Sequence, residues 1–227
     1  MASTNRCTYC GKEFAKARTL QVHLCEPKRR YLQKDEKWVV NAFMVFQRFY
    51  QIHQHNSKPK TYDEFVKSAY YNAFVKFGRF IMHINPLYPD KYIDFVLRSK
   101  IKLDHWARDD LYETYLIEAL KSEPVEAALQ RSITTMMDWA TEQNAQWSDY
   151  FRLVNTNRAV QHIQQGKISP WLLLGCSAGK RMLKSLNDEQ LQMIERFINP
   201  SFWPSKLKSY PADHMLVKDT AREAKIV

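Results

Sequence analysis

The chain has 227 residues, 45% of them hydrophobic and 13% aromatic, with only 5 glycines and 9 prolines. That composition excludes intrinsic disorder, collagen-like repeats and a turn-dense β-sandwich, and favours a helical protein able to bury a real core. Lys and Arg number 34 against 24 Asp and Glu, a net charge of +10, which suits polyanionic partners such as nucleic acid or an acidic protein surface.

Three of the four cysteines fall near the start, as Cys7, Cys10 and Cys25, which reads as reduced, metal-binding thiols rather than a disulfide framework. With His23 they are spaced C-x2-C-x12-H-x-C. The first three positions match a ββα zinc finger, in which a Cys-Cys turn and a helical His ligate a tetrahedral ion. Phe14, Leu20 and His23 stand at the intervals by which the two apolar residues of such a finger pack beside the metal. One structural Zn2+ per chain is therefore expected on Cys7, Cys10, His23 and Cys25.

The departure is Cys25, only two residues beyond His23. Two residues on a helix point about 200° apart, so both reach one ion only if the helix ends near Leu24; Pro27 is the expected terminator. A site completed by water, one closed by a later histidine such as His53 or His55, and no metal at all are the other arrangements. A catalytic zinc is not expected, since no H-x-E or HExxH context supplies a glutamate beside a metal-bound water.

Counting back from His23, Lys16, Thr19 and Val22 occupy the positions that face bases in a major-groove complex, with Arg18 between them. Residues 1–35 hold eight basic side chains, Arg6, Lys12, Lys16, Arg18, Lys28, Arg29, Arg30 and Lys34, against Glu13, Glu26 and Asp35. A single finger covers about 3 bp, so Lys16, Arg18, Thr19, Lys28, Arg29 and Arg30 are better suited to gripping phosphates than to reading sequence. A solvated linker is the plainer reading of the basic tail.

From residue 30 the pattern is helical. Residues 31–54 carry a wide apolar face through Trp38, Val39, Ala42, Phe43, Val45, Phe46, Phe49 and Tyr50. A polar loop follows, then Thr61 and Glu64 form a capping box opening a helix through Phe65, Ala69, Ala73, Phe77 and Phe80, closed by Asn85-Pro86. Pro89 starts a short helix and Leu103-Asp104 another; Ser122 and Pro124 supply the cap and first position of the next. Further helices are expected over 148–165, 170–186 and 188–198, with a terminal helix from about 211. The fold class is all-α, a helical domain over 31–227 preceded by a finger with a basic tail over 1–30. No stretch approaches the roughly 18 apolar residues of a membrane span, and the N-terminus lacks a signal peptide's apolar core, so a cytoplasmic protein without membrane partners is expected.

Gly175-Cys-Ser-Ala-Gly179-Lys-Arg is one residue short between its glycines for a phosphate loop and lacks the magnesium-binding Ser/Thr; a helix start is the better reading, with Cys176 buried. Asp104, His105, Asp109, Asp110 and Glu113 could gather a metal, though charges at a helix start explain them. Tyr70, Tyr71, Phe74, Lys76, Phe77, Arg79 and Phe80 could form a stacking platform for single strands, but their spacing is that of a core.

The segment CTYCGKEFAKARTLQVHLCEPKRR resembles the N-terminus of a family of uncharacterised zinc-finger proteins carried by large contractile-tailed bacteriophages, and FVKSAYYNAFVKFGRF, LDHWARDDLYETYL and KISPW resemble its body. The resemblance implies zinc binding and work in an infected bacterial cytoplasm; it supplies no catalytic residue. The expectation is a non-catalytic nucleic-acid-binding protein, DNA ahead of RNA, acting as a phage accessory or regulatory factor. The alternatives are an adaptor gripping host or phage polymerase or replication proteins, and a metal-dependent enzyme on nucleic acid centred on Asp104 to Glu113.

Overall fold

The computed structural model describes residues 5–54 and 58–226. The protein is all-α: fifteen α-helices and one two-stranded sheet among the described residues. No helix among them is long and apolar enough to cross a membrane. The chain divides into two compact units, 1–112 and 113–227, so residue 30 falls inside the first.

The first unit opens with β1 (Asn5–Arg6) and β2 (Glu13–Phe14), antiparallel with Asn5 opposite Phe14, followed by α1 (Ala17–Val22) and α2 (Glu26–Leu32). Then come α3 (Lys37–His53), α4 (Tyr62–Lys67), α5 (Tyr71–Ile84) and α6 (Pro89–Arg98). The apolar stripe of α3, Val39, Ala42, Val45 and Phe46, meets that of α5, Tyr71, Phe74, Phe77 and Ile81. Both follow three- and four-residue spacing, which puts them on one face of each helix. Edge-on aromatic contacts join the layers, with Phe46 to Phe74 at 5.3 Å and Phe74 to Trp106 at 5.8 Å.

The Thr61–Glu64 capping box forms as expected, each side chain meeting the other residue's backbone N–H. The helix it opens stops at Lys67, because Ser68 is extended and its hydroxyl accepts from Tyr70 N–H; α5 is a separate helix. Asn85 closes α5 in the left-handed region at φ 43°, a conformation its short polar side chain tolerates. Pro89 is the first residue of α6. Leu103 to His105 form only a 3-10 turn, and the helix expected there begins later, as α7 (Asp109–Ser122).

The second unit contains most of α7, then α8 (Val125–Gln143), α9 (Tyr150–Leu153), α10 (Thr156–Gln164), α11 (Pro170–Gly175), α12 (Ser177–Lys184), α13 (Asp188–Ile194), α14 (Trp203–Ser209) and α15 (Pro211–Glu223). Pro124 is the cap of α8 rather than its first helical residue. Two of the long expected helices are broken, at Val154-Asn155 and at Cys176. Asn155 starts its helix by accepting from the N–H groups of Asn157 and Arg158. Cys176 does the same through sulfur, 3.3 Å from Gly179 N. Trp171 and Trp203 meet edge-on at 5.8 Å in the core. A buried polar knot crosses it: Arg131 forks onto Glu123 at 2.6 and 2.7 Å and donates to Gly166 O, while Ser169 Oγ donates to Glu123 at 3.0 Å.

Candidate metal centre and the basic surface beside it

The chain from 5 to 32 has almost no core. Cys7 is its one buried residue, so apolar burial cannot hold this segment together and some other cross-link must. Two turns set the first ligand pair. Cys7 N–H donates to Lys12 O at 2.8 Å and Gly11 N–H to Cys7 O at 2.9 Å. Gly11 sits at φ +73°, where glycine has no steric cost. The tight return this allows points the sulfurs of Cys7 and Cys10 to one side.

The second pair is placed by unwinding. α1 ends at Val22; His23 has φ −67° and ψ 122°, and Cys25 φ −84° and ψ 164°. In extended chain side chains i and i+2 point the same way, so His23 and Cys25 face one point, which a continuous helix would forbid. The terminator is not Pro27. That proline is the second residue of α2, whose cap is Cys25. Phe14 packs against the imidazole at 4.7 Å between ring centroids.

The ligand atoms of Cys7, Cys10, His23 and Cys25 all lie within 4.8 Å of one another. The Cys7 and Cys25 sulfurs are 3.9 Å apart, and Cys10 Sγ is 3.3 Å from His23 Nε2. Four tetrahedral ligands at ordinary thiolate and imidazole bond lengths stand about 3.8 Å (S to S) and about 3.5 Å (S to N) apart, so the donor set fits such an ion. Burial opposes the Cys7 thiolate, but the N–H groups of Cys10 and Tyr9 outweigh it and hold its pKa below the ordinary thiol value. Burial raises that of Cys25, and the nearby Cys10 and Cys7 sulfurs add to the rise. Sulfurs this close carry full negative charge together only with a cation between them.

No other group of three or more His, Cys, Asp and Glu side chains comes within ligating reach among the described residues. His53 instead bonds Phe49 O through Nδ1 at 2.8 Å, and His55 lies outside the described residues. Asp104, His105, Asp109, Asp110 and Glu113 are not brought together; Asp110 pairs with Arg108 and Glu113 with Arg196. Cys176 is buried, and burial pushes its thiol pKa up despite the backbone N–H groups of Gly179 and Ala178.

Lys16 caps α1, and Lys16, Arg18, Thr19 and Val22 are all exposed. Lys28, Arg29 and Arg30 are not a loose tail. Lys28 donates to His23 O at 3.0 Å, Arg29 pairs with Glu26, and Arg30 reaches Glu26 at 3.1 Å, Val66 O and the Tyr71 ring at 4.3 Å. Of the aromatic residues weighed as a stacking platform, Tyr71, Phe74 and Phe77 are core, and Tyr70 is exposed. Sequence reasoning missed Gly11, although a glycine directly after a Cys-x2-Cys pair is itself a turn signal, and it missed the contact of α2 with α4, which only the tertiary fold creates. Comparison with family models, with curated proteins and with solved structures found no match to this chain.

Proposed function

We propose that residues 5–32 are a ββα-type zinc finger holding one structural Zn2+ on Cys7, Cys10, His23 and Cys25, and that the protein binds nucleic acid without catalysis. The observation that carries this is four ligand atoms converging in a segment whose one buried residue is a ligand. In such a segment the free energy of metal binding is the free energy of folding. The ion's chemistry is structural: all four positions are taken by side chains, so no open position remains for water or substrate. Lys16, Arg18 and Thr19 on the outer face of α1, with the charge concentrated nearby, favour a phosphate-bearing partner, DNA ahead of RNA. A phage accessory or regulatory factor, working in an infected bacterial cytoplasm, is the biological setting that goes with it.

Metal analysis should find one zinc per chain, lost in Cys7→Ser/Cys10→Ser. Binding to labelled duplex DNA, single-stranded DNA and RNA across a salt series should be steep, and Lys16→Gln/Arg18→Gln should lower the duplex slope by about 2. Zinc without binding to any of the three would sink the nucleic-acid reading. A second reading, an adaptor for polymerase or replication proteins, is favoured by the exposure of Val22 and Leu24, 75% and 61%, on either side of the His23 ligand. It calls for one stoichiometric partner whose co-purification survives nuclease.

A further inference from the structure

Between α2 and α5 lies an open cleft of about 450 Å³, lined by Glu26, Arg29, Arg30 and Gln33 on one side and by Tyr71, Asn72, Val75, Lys76 and Arg79 on the other. The two walls have the same construction. Glu26, Arg29, Arg30 and Gln33 stand at i, i+3, i+4 and i+7, as do Asn72, Val75, Lys76 and Arg79, so each set is one helical stripe. The lining carries four cations and a single carboxylate, and α4 contacts both helices.

Of these cations Arg30 is the one held in place. Arg30 is fixed by Val66 O and by stacking on Tyr71, its side chain only 17% exposed, and its Nη2 has no hydrogen-bond partner among the described residues. Arg79 lies 5.3 Å from the Trp38 ring centroid and, like Lys76, has no ion pair among the described residues. Among the described residues Lys76 makes one hydrogen bond, to Asp104 O at 3.5 Å. Preset guanidinium groups lose little conformational freedom on binding, which is why arginine recurs wherever planar oxyanions are recognised. Glu26 bridges Arg29 and Arg30 with its two carboxylate oxygens; an oxyanion already sits between two guanidinium groups, in the position a phosphate would take.

We infer that the α2–α5 cleft is a binding site for phosphate esters, filled by the backbone of a single nucleic-acid strand. The inference rests on the reading of the protein as nucleic-acid-binding and names where the strand lies. A cleft of this volume is of small-ligand size, with room for the phosphates and sugars of one strand and none for a duplex to enter. The two walls join finger to helical body: α2 starts at the ligand Cys25, and α5 is the central helix of the first unit's core.

The test uses the full-length protein, a labelled oligothymidylate titrated across a salt series, and a nucleoside triphosphate titrated separately. Lys76→Gln/Arg79→Gln removes two exposed cations outside the finger. It should weaken strand binding about tenfold at physiological salt and lower the slope by about 1.4. Glu26→Gln removes the competing carboxylate and should tighten binding, a gain that misfolding does not produce. Strand binding unchanged in the double variant but lost in Lys16→Gln/Arg18→Gln overturns the cleft and leaves the nucleic-acid reading standing. Triphosphate binding that the double variant abolishes, without strand binding, keeps the phosphate site and removes the polymer reading. A wild-type protein that binds neither probe overturns both.

Discussion

A Cβ on Gly78 would stand 2.3 Å from the carbonyl oxygen of Trp38 and 2.9 Å from Ala42 N, so α5 and α3 touch backbone to backbone at this position. Nothing larger than hydrogen fits there without the helices separating, because packed interiors lack the slack to absorb a methyl group. Gly78→Ala gains about 1 kcal/mol of helix propensity and still comes out destabilising, by about 2 kcal/mol, since a clash with backbone at this distance puts overpacking at the upper end of its usual range of about 1–3 kcal/mol. Denaturant midpoints of the two proteins check this, and an alanine variant as stable as the parent would contradict the close approach.

The Glu123 side chain is fully buried while that of Arg131 is 17% exposed, so the carboxylate depends on the guanidinium fork for its charge to be tolerable. Arg131→Met leaves the carboxylate facing Ser169 without its fork and should cost about 3–5 kcal/mol. Replacing both, as Glu123→Gln/Arg131→Met, should recover a large part of that loss, because a neutral amide is far cheaper to bury than a carboxylate. The comparison is a double-mutant cycle with Glu123→Gln as its remaining corner, read by urea denaturation; a loss in the double variant equal to the sum of the two single losses would argue against coupling.

His162 is buried, its Nδ1 2.8 Å from the Tyr150 hydroxyl. Burial pushes its pKa down to about 4; Lys167 and Arg158 add to the effect and Glu142 opposes it. An unfolded chain takes up this proton near the ordinary histidine value of about 6.5, while the native one refuses it until about 4. Between those values the unfolded state binds more protons, so stability is complete above about pH 6.5 and falls as the pH drops towards 4, by up to about 1.4 kcal/mol per pH unit. Melting temperatures measured through this window should decline with acid in the parent and much less in His162→Gln, which keeps a hydrogen-bonding group beside Tyr150.

Several local chemical signals in the sequence were legible. Thr61 with Glu64, Pro89 and Pro211 mark helix starts that the structure has, because caps and prolines act within a few residues. The break at Ser68 was not legible. The apolar period runs on from Phe65 through Phe77, and neither glycine nor proline punctuates it; the chain turns there because α4 and α5 pack separately on α3. That Cys25 joins the Cys7, Cys10 and His23 cluster was legible from its proximity, yet through a mistaken agent, since Pro27 lies in the first turn of a helix rather than ending one. The basic residues after Cys25 were visible as charge. That Arg29 and Arg30 form one wall of a cleft was not, because its other wall is about 40 residues away in the chain and helical stripes carry no record of their partners.

His23, Leu24 and Cys25 form an extended link, and extended chain repeats its facing every second residue. Which way the His23 and Cys25 donors face is therefore governed by parity rather than by turns of helix. One added residue would swing the terminal sulfur to the far side. Two added residues would restore its facing but carry it, with the start of α2, as much as about 7 Å along the chain and out of reach of His23. Convergence of the four donors and the placing of α2 against α5 are thus set together by the same three residues, since Cys25 is both a donor and the cap of α2.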